Sequence, residues 1–216
     1  MGQYYKAVSL DQEEYLRTQG VDVNGFLGMK LLEHSYVGNA FTAAVENLLS
    51  PKGNWHKTRI VWAGDYMDCG LFIPEEHLDE VLMYDDGEEI TGSDITLYHY
   101  SNKHFKKLYM STTEEYGRYI INHTRETYVD KEHLEGFEVG LANGETDIWH
   151  IHPLPLLTCS GNGRGGGDYN GINMSQVGNW AGDVISVEKE KPEGYSELEV
   201  SFIEEHDLQH REKGGE

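Results

Sequence analysis

Apolar and polar positions follow no single period along this chain, and the places where they settle into one define its elements. The sharpest is at residues 41–49. Phe41, Ala44, Val45, Leu48 and Leu49 fall at i, i+3, i+4, i+7 and i+8, one continuous helical face. Asn39 precedes it as an N-cap, and Ser50-Pro51 followed by Gly53 ends it. A second helix is expected from Pro74, a residue favoured at the first helical position. Glu75 and Glu76 occupy its first turn, where the helix dipole favours acids, and Leu78, Val81 and Leu82 give it an apolar stripe. Asp11 reads as the cap of a short polar helix running to Arg17.

Most of the remainder reads as β. Residues 4–10 form an aromatic, β-prone first strand, and residues 60–62 a short apolar run. Segments 94–100, 108–111 and 119–122 are rich in β formers, and 127–129 returns antiparallel to the last of these. Segments 148–152 and 184–187 are further strands, while 29–36 fits either helix or strand. Leu198, Val200 and Phe202 alternate with Glu197, Glu199 and Ser201, the pattern of a strand with one buried and one wet face. Strands outnumber helices and do not alternate with them. The expected class is therefore α+β: a mostly antiparallel or mixed sheet with two or three short helices, one domain over residues 1–206, and a frayed tail at 207–216. The tetrapeptide Trp-Ala-Gly-Asp occurs at 62–65 and 180–183, but no longer period accompanies it.

Composition sharpens this picture mainly through charge. The 216 residues carry 17 Lys plus Arg against 38 Asp plus Glu, a formal net charge of −21. So acidic a chain does not offer the broad basic surface that neutralises nucleic-acid phosphates, and an anionic membrane surface repels it. The charge is uneven. Residues 1–72 hold 6 basic and 8 acidic residues, 73–144 hold 6 and 16, and 145–216 hold 5 and 14. Asp79, Glu80, Asp85, Asp86, Glu88 and Glu89 concentrate in one stretch, a candidate interaction patch for a protein with a basic surface. Hydrophobic residues make up only 38 %, but 14 Tyr and 4 Trp offset the aliphatic shortage with large buried rings. No apolar stretch approaches a membrane span, and the N-terminus lacks an apolar signal region, so the cytoplasm is the expected compartment, with Cys69 and Cys159 as free thiols.

Candidate chemistry gathers around residues 150–168. Gly161, Gly163, Gly165, Gly166 and Gly167 make a loop whose amides can form an anion-binding nest, with Arg164 adding a fork of donors for phosphate or carboxylate. Gly161, Gly163 and Gly166 spell G-x-G-x-x-G, but no helical face follows, and no Lys-Ser/Thr completes a phosphate-binding P-loop. Upstream, His150 and His152 are two apart and would share one face of a strand, the start of a site for a divalent metal; no other cofactor is expected. Asp168, His123 and Asp65 are candidate third ligands, and His150, His152 and Asp168 are the candidate catalytic set if the chain is an enzyme. Cys159 reads as a small buried thiol, because spacing supplies no base to activate it. Asp65, Asp68 and Asp183 are further acids near aromatic residues.

The segments Met1-Gly2-Gln3-Tyr4-Tyr5-Lys6, Ile121-Asn122-His123-Thr124, Tyr128-Val129-Asp130 and 151–169, which holds Ile-His-Pro-Leu-Pro-Leu-Leu-Thr and Gly-Asn-Gly-Arg-Gly-Gly-Gly-Asp-Tyr, resemble a group of bacterial and phage proteins that has no established activity. The resemblance spans most of the chain and carries no catalytic residues. It implies a gene of a phage or mobile element and a small protein acting on a host or defence component.

Two functional readings follow. One is an acidic protein that binds and modulates another protein with a basic surface, as a regulator or inhibitor. The other is a binder or hydrolase of a phosphate-bearing small molecule, in which Arg164 and the loop amides hold the anion and a histidine serves as base or metal ligand.

Overall fold

The structure, a computed structural model, describes residues 2–17, 29–83, 89–91, 94–110, 116–140 and 144–202. Its centre is a strand, β3 (Thr58–Gly64), to which the other main elements are referred. β1 (Tyr5–Ser9) runs antiparallel to it, pairing Tyr5 with Gly64 and Ser9 with Ile60. A tight turn, with Glu13 in the left-handed region at φ 50°, returns β1 into β2 (Glu14–Leu16). The segment after Asp11 is thus a hairpin rather than a short helix. Tyr15 and Leu16 are buried in opposite layers, which a strand allows and a polar surface helix does not.

Between β1 and β3 lie α1 (Leu31–His34) and α2 (Ala40–Leu49). The helix expected from periodicity is present with its expected cap: the Asn39 side chain accepts hydrogen bonds from the Phe41 and Thr42 amides. Pro74, by contrast, opens only a single 3-10 turn at Glu75–His77. The chain then extends into β4 (Val81–Met83), which pairs with β5 (Glu89–Thr91), so Leu82 faces the core from a ribbon. Residues expected as strand near 94–100 instead wind into α3 (Leu97–His104). Leu97, Tyr98 and Tyr100 are all buried there; a helix lets these near neighbours reach the same layer, and that packing outweighs the β propensity of tyrosine.

β6 (Lys106–Leu108) lies parallel beside β2 at one end of the sheet. The other half is the hairpin β7 (Tyr119–Asn122) and β8 (Thr127–Asp130), antiparallel as expected. Off the main sheet, β9 (Gly136–Gly140) and β10 (Thr146–His150) form a separate two-stranded ribbon. α4 (Pro153–Thr158) follows, then β11 (Cys159–Ser160), parallel to the second half of β3. β12 (Val184–Glu188) bridges the first half of β3 to β7, and β13 (Ser196–Glu197) adds in parallel to β8. The sheet order is β13-β8-β7-β12-β3-β1-β2-β6, a mixed sheet with mostly antiparallel neighbours. Together with the four α-helices of the described residues this is an α+β architecture. The alternation of residues 197–202 survives only in burial: regular pairing ends at Glu197, although Phe202 is still buried.

β3 has its two faces in two different cores. Ile60 and Trp62 point into the layer closed by α1, α2 and α4, while Val61 and Ala63 point toward α3 and β4. Both faces being covered explains the near-continuous apolar reading of β3. No helix among the described residues is long and apolar enough to cross a membrane.

Candidate functional site

The glycine loop begins where β11 leaves β3. Gly161, Gly163 and Gly167 hold φ values of 109°, 90° and 83°, which side chains rarely adopt. A Cβ at Gly165 would collide with Gln3, whose backbone amide bonds Gly166 O at 3.2 Å as the N-terminus runs beside the loop.

The amides of the loop do form a nest, and it is filled by the chain's own carboxylate. Asp168 Oδ2 accepts hydrogen bonds from the amides of Gly163, Arg164 and Gly165 at 2.9, 3.0 and 3.0 Å. Its Oδ1 accepts the Tyr5 hydroxyl at 3.1 Å. With the Gln3 amide turned so that its NH2 faces the loop, that group donates to Gly161 O and Asp168 Oδ2 at 2.7 and 3.0 Å. Asn162 and Tyr169 clamp the loop reciprocally, side chain to backbone, at 2.9 and 2.8 Å. The donors expected to cradle a ligand anion are therefore engaged internally.

Arg164 is tied down as well. Its guanidinium donates to Tyr66 O at 3.1 Å and to Asp68 Oδ1 at 2.5 Å, in an ion pair whose side chains are 45 % and 67 % exposed. Gly161, Asn162, Arg164 and Asp68 line a hollow of about 310 Å³ on the outer side of the loop.

Three ionisable groups feel the charge of Asp168. Burial, reinforced by the neighbouring Asp168, raises the Asp65 carboxyl to about 6, against the lowering effect of the Tyr4 amide that it accepts at 3.0 Å. Burial, with Cys159 and Asp168 nearby, pushes the Tyr5 phenol well above its ordinary value, so it stays protonated and donates. Burial and then Asp168 push the Cys159 thiol up to about 12, which leaves it no thiolate character near neutral pH.

The two histidines do not converge on this loop or on each other. His150, at the end of β10, uses Nδ1 on Leu134 O at 3.0 Å. His152 is fully buried as the N-cap of α4. Its Nδ1 accepts from the Leu154 amide at 3.2 Å, which assigns the proton to Nε2, and Nε2 donates to Glu46 Oε1 at 2.9 Å. With both ring nitrogens engaged in the core, His152 cannot share a metal with His150. The β strand expected through 148–152 ends at His150, and the face-sharing argument ends with it. His123 bonds Ser186 and Tyr195 instead. Glu46, buried on α2, also accepts Lys131 Nζ at 2.6 Å and the Tyr116 amide at 3.2 Å.

The interaction patch is only partly described. Asp79 and Glu89 are exposed, Asp85, Asp86 and Glu88 lie outside the described residues, and Glu80 is drawn into a cluster. Among the described residues, two groups bring three metal-ligating side chains within 4.8 Å of one another: His77, Glu80 and His104, and Asp130, His133 and Glu197. The sequence pointed to Glu80 alone; His77 at i−3 was a readable signal, whereas His104 arrives through α3.

The second group lies at the β8–β13 edge, in a cleft of about 540 Å³. Arg118 binds Asp130 bidentately at 2.7 and 2.6 Å, and His133 and Tyr128 bond the two oxygens of Glu197 at 2.6 and 2.9 Å. Hydrogen bonds from His133 and Tyr128 hold the Glu197 carboxyl below its ordinary value, and the bond to Glu197 with the charge of Asp130 raises His133. Exposed Glu135 and Glu199 stand at the rim, and Leu134, Leu198 and Val200 supply apolar wall.

No protein-family model matches the chain, and no curated protein and no solved structure is significantly similar to it.

Proposed function

We propose that this chain acts by binding another protein through its acidic surface, as a regulator or inhibitor, and that the cleft at the β8–β13 edge takes Lys or Arg side chains of that partner. The observation that carries the reading is the composition of this cleft: carboxylates of Asp130, Glu135, Glu197 and Glu199 around Leu134, Leu198 and Val200. A basic side chain has the matching build, an apolar stem and a cationic head. Arg118 occupies Asp130, and His133 and Tyr128 occupy Glu197, so exposed Glu199 and exposed Glu135, one oxygen of which accepts the Ser201 hydroxyl, are the carboxylates a partner can reach. The engagement of the loop amides by Asp168 and of His152 by Glu46 also weighs toward binding rather than catalysis.

The test uses fluorescent Lys/Arg-rich peptides and the full chain. Wild type is expected to bind them with affinity that falls steeply with salt, and the Glu135→Gln/Glu199→Gln pair to weaken binding about tenfold or more. Absence of binding to every basic peptide, or equal binding by the variant, rejects the cleft. A companion Asp79→Asn/Glu89→Gln variant reads the other patch separately.

A second reading keeps a small-molecule role for the outer side of the glycine loop, favoured by the hollow of about 310 Å³ that includes Arg164. A phosphate-bearing ligand there would compete with Asp68 for Arg164. A thermal-shift screen across nucleotides, repeated on Arg164→Ala, decides it: a shift lost in the variant supports the reading, and a flat screen removes it.

A further inference from the structure

We propose that His77, Glu80 and His104 form a binding site for a divalent transition-metal ion of the zinc, copper and nickel class. The Glu80 carboxylate lies between the two rings, with Oε1 at 2.5 Å from His77 Nδ1 and Oε2 at 2.8 Å from His104 Nε2. Two imidazoles and one carboxylate are a donor set that these ions prefer, whereas calcium and magnesium favour oxygen. In a tetrahedral zinc site, with bonds of about 2.0–2.2 Å, neighbouring ligand atoms stand about 3.3 Å apart. Each ring nitrogen therefore needs to move by less than about 1 Å from the carboxylate oxygen it now bonds to admit an ion. A neutral ring does so by moving its proton to the other nitrogen, and a charged one by releasing a proton to water.

The rings are already oriented. His104 stacks on Tyr100 with centroids 4.3 Å apart and planes at 19°, and His77 packs 4.8 Å from His104 and 5.5 Å from Tyr100. Tyr100 is itself buried against the α3 layer, so the ring positions are set by the core rather than by loop geometry. The three ligating side chains are 31 %, 23 % and 22 % exposed, sheltered yet open to solvent. Exposed Glu75, Glu76 and Asp79 on the same turn add a negative field that attracts cations.

One resident cation stands in the way. Lys103 Nζ lies 2.6 Å from Glu80 Oε2, on a side chain that is 51 % exposed. An incoming ion takes over its neutralising role, and the lysine swings into solvent. The Asp130, His133 and Glu197 group differs on each count. It offers one imidazole, His133 is 63 % exposed, and the Arg118 guanidinium is anchored on Asp130 by two hydrogen bonds. Ion binding at His77, Glu80 and His104 would tie the 3-10 turn before β4 to the end of α3, leaving a position for water.

The test is titration of untagged, chelator-treated full chain with Zn²⁺ by calorimetry and with Co²⁺ by visible absorption. One equivalent is expected to bind more tightly than the rest. His77→Ala and His104→Ala should each weaken it about 100-fold, and Glu80→Gln, which is nearly isosteric, about tenfold or more. Lys103→Met is expected to tighten it several-fold, an effect that general loss of structure cannot produce, and His133→Ala to leave it unchanged. Circular dichroism confirms that each variant is folded. Binding that is unaltered in the His77→Ala/His104→Ala double variant, or no binding of Zn²⁺ below about 100 μM, overturns the proposal.

Discussion

Asp168 Oδ1 accepts the Tyr5 hydroxyl at 3.1 Å across 163 positions of sequence, so the glycine loop is closed by the first strand of the sheet. Three loop amides on Oδ2 complete the arrangement. Asp168→Ala is expected to destabilise the fold by about 2–3 kcal/mol, since it removes charge-assisted hydrogen bonds and leaves partly buried donors unmatched. Arg164→Ala should change stability by less than about 1 kcal/mol, as its ion pair with Asp68 is exposed. Chemical denaturation of both variants separates a loop held by its acid from one held by its arginine.

A buried charge centre makes a second, larger prediction. Glu46 and His152 have no exposed side-chain area, and Lys131 only 9 %. Glu46→Ala strips the carboxylate from both partners and is expected to cost about 3–5 kcal/mol. Glu46→Gln keeps the shape and an acceptor, and should cost less. Urea unfolding curves would show the ordering, and a Glu46→Ala protein as stable as wild type would contradict the hydrogen-bonded centre.

Stability should also depend on pH in two opposed ways. The folded Asp65 carboxyl titrates at about 6, above its ordinary 3.8, so the folded state binds more protons between those values and stability falls as pH rises through 6. Glu80, held at about 2 by Lys103, His77 and His104, and Asp130, lowered by Arg118, act oppositely: their stabilisation is lost as pH falls through their folded values. Thermal stability should thus peak at about pH 4 and decline toward about pH 6. Asp65→Asn is expected to raise stability at pH 8 by about 1 kcal/mol, a value reduced for the solvent exposure of the group, and to do little at about pH 3.5, below the ordinary carboxyl range. Melting curves at both pH values read the difference.

Thiol counting gives a fourth check. Cys159 is buried and pushed up to about 12, while Cys69 is exposed and raised by partial burial and by the carboxylates of Asp94 and Asp68. A disulfide-exchange reagent at pH 8 should label one thiol per native chain, slowly, and two after denaturation. Rapid labelling of two thiols in the native protein would contradict the burial of Cys159.

The sequence by itself determined the elements whose causes are local. α2 was legible because its apolar face, its Asn39 cap and its Pro51 stop all lie within thirteen residues of each other. The β7–β8 hairpin and the strands β1, β3 and β12 were legible because each is a short run of β-branched and aromatic residues, and together they implied the α+β class, whereas β2 and β11 were not legible. Where two periods competed, tertiary packing decided. Residues 97–104 became α3 because the layer beside Val61 and Ala63 had room for Leu97, Tyr98 and Tyr100 together, and the turn after Pro74 gave way to a ribbon that buries Leu82.

The chemistry was less legible than the fold. Glycines at 161–167 announced a loop able to hold an anion, but only the structure places Asp168 and Tyr5 in and over it. His150 and His152 looked like a pair because they are two apart, yet the chain turns into α4 between their roles. His104 reaches His77 and Glu80 only through the docking of α3. Capping and periodicity act over a few residues and are written where they act. Ligand clusters and buried charge centres join segments tens of residues apart, and long-range packing brings them together.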